Sequence, residues 1–288
     1  MMSSIQNELE TKGYCVVPGI LTQHEVNRCI QSFQDWQGSI KNHDSIYPKI
    51  VSHGIYKYHN AGHTWHSWYI RTRPMVQDVF KTIWKTDSLI TSFDGCCYIP
   101  QNCTKKDNIW AHSDQAPNSK GFQCYQSFVS LTENKERTFV VYEGTHKDHE
   151  AYFKERNIES TKNWQLIDHD YIRSIEHKKR ILHVPVGAMV LWDSRTFHQN
   201  QYGAPNSETR MVQYVCFFPK NHPQNTPAMQ KKRNQYYDQR RTTTHWPCPI
   251  RVNSLQPQTY GNPELDINYD TLPPSDLSEF CDDIPNLL

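Results

Sequence analysis

The chain lacks any apolar run long enough to cross a bilayer, so no helical membrane span is expected. Its opening stretch, MMSSIQNELETKGY, lacks the apolar centre of a secretory signal, which points to a soluble intracellular protein, cytoplasmic in location. It lacks an excess of either charge: 31 Lys and Arg stand against 30 Asp and Glu for a net +1. No global field therefore draws it to nucleic acid or to an anionic membrane, and the expected partner is a small molecule. The nine cysteines are odd in number and lack a paired CxxC…CxxC spacing. That excludes a complete disulfide framework and a zinc ribbon, leaving reduced, buried thiols. Internal repeats are missing too, and nothing in the composition sets an oligomeric state.

What is present suffices for one substantial core, with 288 residues of which 36% are apolar. After a strand at GYCVVP, Thr22 and Glu25 form a capping-box pattern, and Val26, Cys29, Ile30 and Phe33 recur at helical spacing. A second amphipathic helix is predicted to start at Pro74, with Val76, Val79, Phe80 and Ile83 on one side. From roughly residue 89 to residue 220 the texture changes to short β-rich runs: SLITSFDGCCYI, IWAHSD, CYQSFVSL, RTFVVYEG, RILHVPV, AMVLWD and TRMVQYVCFF. These suffice for a mainly β fold with flanking helices, a double-stranded β-helix of the jelly-roll or cupin-like barrel type. The charged insertion between Gly144 and Lys179 reads as helical and is expected to pack outside the barrel. We expect one domain over residues 1–220 and a polar extension over 221–288 that wraps the domain or stays partly mobile.

The chemistry concentrates in IWAHSDQ. On an extended strand, residues i and i+2 share a face, so His112 and Asp114 present a nitrogen and an oxygen to one point, half of a metal site. A divalent iron site of the non-haem oxygenase type needs two histidines and one carboxylate on one side, with the other side open. The best third ligand is His198, which follows an apolar strand and a short turn in VLWDSRTFHQN. Arg210 then falls on the next strand, and an arginine inside a β-barrel is costly unless an anion meets it. A dicarboxylate would be that anion, gripped by charge-assisted hydrogen bonds of roughly 1.5–3 kcal/mol each.

The order His112-x-Asp114, His198, Arg210 resembles the phytanoyl-CoA dioxygenase-like family of Fe(II)/2-oxoglutarate-dependent oxygenases. QSFVSLTENKERTFVVYEGTHKDH is similar to that family's strand, turn and loop, with Thr145 where serine is usual. VPVGAMVLWDSRTFH resembles its glycine-led strand before the distal histidine, with Ala188 in place of the acidic residue often found there. WYIRTRPMVQDVFKTIWKTDSLITSFDG is similar to its helix and first strand, so the likeness spans most of residues 10–220. It implies Fe(II) on His112, Asp114 and His198, with 2-oxoglutarate as cosubstrate, its distal carboxylate on Arg210, and O2 as oxidant. Asn200 stands where family members often carry a hydroxyl, and its amide can donate in place of that group. Gln126 is a further candidate contact of the cosubstrate. The implied activity is hydroxylation of a small organic substrate with release of succinate and CO2.

Other features carry plainer readings. His59, His63 and His66 have ligand-like spacing, but Gly62 weakens the helix that would gather them, so a polar-aromatic wall is expected. His183 reads as a barrel histidine with its bonds satisfied, and His146 and His149 as solvated surface residues. KKR and RR near residues 231–241 read as a solvated basic face, since no stacking platform or recognition helix accompanies them. Asp94 and Asp193 read as turn or capping carboxylates, and Trp110 and Trp192 as shields of the site or barrel packing. The rival functions are an oxygenase acting on protein or nucleic acid, and a non-catalytic cupin-like binding protein.

Overall fold

The computed structural model describes residues 2–288, and its backbone divides into two compact units. One joins the residues up to Pro18 with Ile99–Arg210; the other joins Gly19–Tyr98 with Met211–Leu288. Among the described residues, no helix is long and apolar enough to cross a membrane.

The first unit holds two antiparallel sheets. In one, Met189–Asp193 lies between Tyr14–Val17 and Tyr125–Ser130. In the other the strand order is Gln165–Leu166, His112–Ser113, His198–Asn200, Phe139–Tyr142, Lys179–Ile181. Phe128 and Trp192 from the first sheet meet Phe139 from the second, with ring centroids 5.5 and 4.8 Å from it, which fixes the inner faces. On the outer face of the second sheet, Ala111, Val140 and Phe197 pack with Tyr152, Phe153 and Ile172 of the insertion. The insertion therefore covers the outside, as expected, through helices His149–Glu155 and His169–Ser174. Among the described residues the expected closed barrel is not formed: Gln165–Leu166 and Lys179–Ile181 are the edges of their sheet, with no further strand paired beyond them. His183, expected inside, is exposed beyond that short strand and pairs with Glu133 at 2.8 Å.

In the second unit the helix signals hold. Helix Gln23–Ser39 starts at the Thr22–Glu25 capping box and buries Val26, Cys29 and Phe33. Helix Pro74–Trp84 has its proline in the first turn and buries Val76, Val79 and Phe80. The run SLITSFDGCCYI, expected as one strand, is two, Leu89–Thr91 and Cys96–Ile99. Between them an ideal Cβ on Gly95 would overlap the Tyr56 carbonyl oxygen, so this close approach needs glycine. Asp94 turns there, accepting from the Gly95 amide and pairing with His245. The tail contributes helix Pro227–Asp238, capped by Thr226. Lys231 and Lys232 are exposed as expected, but Arg233 is buried. Its guanidinium donates to Asn225 Oδ1 and the Pro247 carbonyl, tying the helix to the segments before and after it.

His59, His63 and His66 are buried in this unit as a polar-aromatic wall. Burial pushes His63 and His66 down to about 3 and His59 to about 4, so all three stay neutral.

Candidate metal centre

The positions of the candidate ligands follow from strand parity. His198 lies directly opposite His112 across the antiparallel ladder, so both imidazoles stand on the inner face of the second sheet. Asp114, two residues beyond His112, keeps the same side, and its amide donates to the Ser194 carbonyl at 3.0 Å. All three are buried, with 6%, 5% and 4% of their surface exposed for His112, Asp114 and His198. Each offers a ligand atom within 4.8 Å of the others. His112 Nε2 is 3.6 Å from Asp114 Oδ1, and His198 Nε2 is 3.3 Å from Asp114 Oδ2.

The other ring nitrogens set the tautomer. His112 Nδ1 meets the Trp110 carbonyl at 3.2 Å, and His198 Nδ1 meets the Thr196 carbonyl at 2.9 Å. A carbonyl only accepts, so each Nδ1 carries a proton and each ring turns its Nε2 toward the carboxylate. Two nitrogens and one oxygen converging in this way suit a divalent first-row metal, and the carbonyl bonds hold the rings in the orientation that a ligand needs. Trp110 stacks on His112, with ring centroids 4.9 Å apart and planes at 22°. Trp192 lies 5.4 Å from the His198 ring and Phe139 5.1 Å. The two tryptophans thus both flank ligand rings.

Behind the ligands lies a polar network that sequence reasoning missed. Ser113 Oγ donates to the Gln115 carbonyl, and Gln115 Nε2 donates to the Ser119 and Gly121 carbonyls. Ser194 Oγ donates to Gln115 Oε1, so both segments touching Asp114 are fixed to one amide. His149 Nε2 reaches Ser113 Oγ at 3.0 Å and the Gln115 carbonyl at 3.1 Å. His149 and His146, expected in solvent, are both buried. Their turn folds back onto the sheet, and His149 packs on Phe153. Burial lowers the pKa of His149, which keeps it neutral. Thr145, at the departure from serine, uses its hydroxyl to donate to the Tyr142 carbonyl and to accept from the Phe197 amide, one residue before His198.

The three remaining predicted residues also lie in this unit. Arg210 is fully buried, its guanidinium carbon 5.0 Å from the Phe128 ring centre, and Nη2 donates to Asn200 Oδ1 at 3.1 Å. Its Nε and Nη1 have no hydrogen-bond partner among the described residues, nor does either amide atom of the buried Gln126. Gln126 and Phe128 share a strand face, the face on which the Arg210 guanidinium meets the Phe128 ring. Buried donors left open are costly, and an anion supplies what they lack. The arrangement therefore fits a carboxylate-bearing cosubstrate. Asn200, two residues after His198 on the same face, links the two halves: its side chain holds Arg210, and its carbonyl accepts from Trp110 Nε1 at 2.9 Å.

No protein-family profile matches the chain. Among curated proteins it is similar to "Ava biosynthesis cluster protein O" of Aspergillus versicolor, 31% identical over 177 residues, which is 57% of this chain and 57% of that protein. The chain thus covers little more than half the length of that relative. Among solved structures it is similar to the apo form of ThoJ, described as a non-heme monooxygenase (TM-score 0.54, 12% identity, 75% of this chain and 78% of that one). It is also similar to the epimerase SnoN, solved with Fe3+, alpha-ketoglutarate and nogalamycin RO (TM-score 0.50, 14% identity, 76% and 83%). At these identities the likeness is one of fold.

Proposed function

We propose that the chain is a non-haem Fe(II)- and 2-oxoglutarate-dependent oxygenase of the phytanoyl-CoA dioxygenase-like branch, hydroxylating a small organic molecule inside the cell. The observation that carries this reading is the pair of Nδ1-anchored imidazoles whose Nε2 atoms close on one carboxylate. His112, Asp114 and His198 would hold the iron. Arg210, Asn200 and Gln126 would hold the far end of the keto-acid. The solved neighbour that carries iron and alpha-ketoglutarate supports this assignment by fold.

Bound iron, with the keto-acid as electron donor, would activate O2 for an oxidation that no side chain can carry out. The chain's own residues do the rest. Arg210 neutralises a carboxylate with open guanidinium donors and, because Asn200 fixes one arm, needs little reordering to do so. Trp110, Trp192 and Phe139 surround the ligand imidazoles with apolar surface, which limits water. The Ser113–Gln115–Ser194 network, with the Asp114 amide on the Ser194 carbonyl, fixes the backbone that carries Asp114. Asp114 argues against halogenation, since a halide would need its place.

The test is succinate release, coupled to a panel of candidate metabolites, with His112→Ala as control. Substrate-dependent succinate in the wild type, absent in the variant, is the expected outcome. Full coupled turnover in a His198→Ala protein would refute the ligand assignment. A product that has gained one oxygen atom marks hydroxylation, whereas an isomer of unchanged mass marks the epimerase outcome known for the structural neighbour.

A further inference from the structure

We infer that Trp164 and Leu166 form a shelf on which a flat, apolar ring of the substrate lies beside the metal ligands. The inference rests on the metal reading above and adds the chemical class of the substrate. Strand Gln165–Leu166 is the edge of the second sheet, and Leu166 pairs directly with His112. Leu166, His112 and His198 thus form one transverse row on the inner face. Trp164, two residues earlier, shares that side, and its ring centre is 5.5 Å from the His112 ring with the planes at 31°. Its neighbour Ile167 has the opposite parity and is buried in the outer cluster with Ala111.

These two apolar side chains are nonetheless 49% and 47% exposed. A lone exposed hydrophobe needs no explanation, and an edge strand is usually guarded by charge. Here a tryptophan and a leucine together face solvent on the side that carries the metal ligands, on an edge without a charged residue. Their backbone is not loose. Asn163 Oδ1 accepts from the Ala116 amide, Asn118 and Ser160 exchange two hydrogen bonds, and Gln165 Nε2 donates to Ser160 Oγ. An indole held at a fixed angle above a ligand imidazole is ordered in advance for stacking, which favours a planar aromatic or conjugated partner over a puckered one.

The probe is 2-naphthol, titrated into full-length protein loaded with Mn(II) and 2-oxoglutarate, with transverse relaxation of the naphthol protons as readout. Cyclohexanol serves as the puckered comparator. We expect Mn(II) to relax the naphthol protons and Trp164→Ala to weaken naphthol about 10-fold. Trp164→Phe should retain affinity within about 3-fold and Leu166→Ser lose part of it, as stacking on a smaller ring and loss of one aliphatic wall imply. Mn(II) affinity should stay the same throughout, and far-UV circular dichroism should confirm folding. Unchanged naphthol affinity in both Trp164→Ala and Leu166→Ser, equal binding of cyclohexanol, or naphthol bound by saturation transfer yet not relaxed by Mn(II) would each overturn the shelf while leaving the metal site standing. Mn(II) held no better by wild type than by His112→Ala would instead sink the metal reading, and the shelf with it.

Discussion

Two sets of buried histidines divide this molecule. In the second unit, His66 has hydroxyls on both ring nitrogens, Ser32 Oγ at 3.2 Å and Thr64 Oγ1 at 3.0 Å. His63 meets the Arg241 carbonyl through Nε2 and Trp68 Nε1 through Nδ1. In the first unit, His112 and His198 give one nitrogen to a backbone carbonyl and turn the other toward Asp114. Burial and residue type are alike in both sets, so neither distinguishes a ligand from a wall. The destination of the second nitrogen does.

The contrast can be broken outright by metal binding. His112→Ala and His198→Ala should each lower Mn(II) or Fe(II) affinity at least about 100-fold, since each would remove a proposed ligand and not merely its support. His63→Gln and His66→Gln should leave that affinity unchanged. Equilibrium dialysis reads both, and equal losses in the two sets would erase the distinction. Next in size is Arg210→Ala. Loss of charge-assisted bonds of about 1.5–3 kcal/mol each should weaken 2-oxoglutarate roughly 10- to 100-fold, with metal affinity intact, by calorimetry of the Mn(II)-loaded protein.

A smaller effect is expected behind the ligands. His149→Ala removes the group bridging Ser113 and the Gln115 carbonyl and should cost about 10-fold in metal affinity, partly restored in His149→Gln, whose amide can still donate. If thermal stability falls but metal affinity does not, His149 only supports the fold. The smallest effect concerns acid. His59, His63 and His66 have folded-state pKa values depressed to about 4, 3 and 3, so below about 6.5 the unfolded chain takes up protons that the folded one refuses. Their stabilisation is full above the ordinary histidine range and is lost as pH falls from there toward 3–4. Each contributes a slope of up to about 1.4 kcal/mol per pH unit, so His66→Gln should flatten urea-unfolding stability against pH between 6 and 5 by no more than that.

Much of the centre was legible in the chain because strand parity is a local rule. His112-x-Asp114 needs only an extended backbone to bring both groups to one side, and Arg210 drew attention as a cation placed where a strand should be buried. The partnership of His198 was a matter of pairing, and the order of elements sufficed to suggest it. What stayed hidden depended on non-local contact. The edge strand bearing Leu166 is two residues long inside a charged insertion and shows no alternation to read. His149 looked like loop surface because nothing in its neighbours signals that the turn folds back onto Ser113. The break before Gly95 in a β-rich run reflects a carbonyl contributed from Tyr56, a position distant in sequence. Asn200 reads in the sequence as an amide standing in for a hydroxyl near Arg210; what the sequence does not show is that its side-chain oxygen accepts from Arg210 and its carbonyl from Trp110.

The direct pairing of His112 with His198 has one more consequence. The His112 strand is only two residues long, so few ladder bonds tie it to its neighbour. An ion shared by the two rings would act as a rivet between adjacent backbones, adding stability that grows with the logarithm of its free concentration over its dissociation constant. Occupancy should then be readable without any turnover, as slower amide exchange along residues 110–114 and 196–200. Chelation would loosen that seam before it touches the rest of the protein.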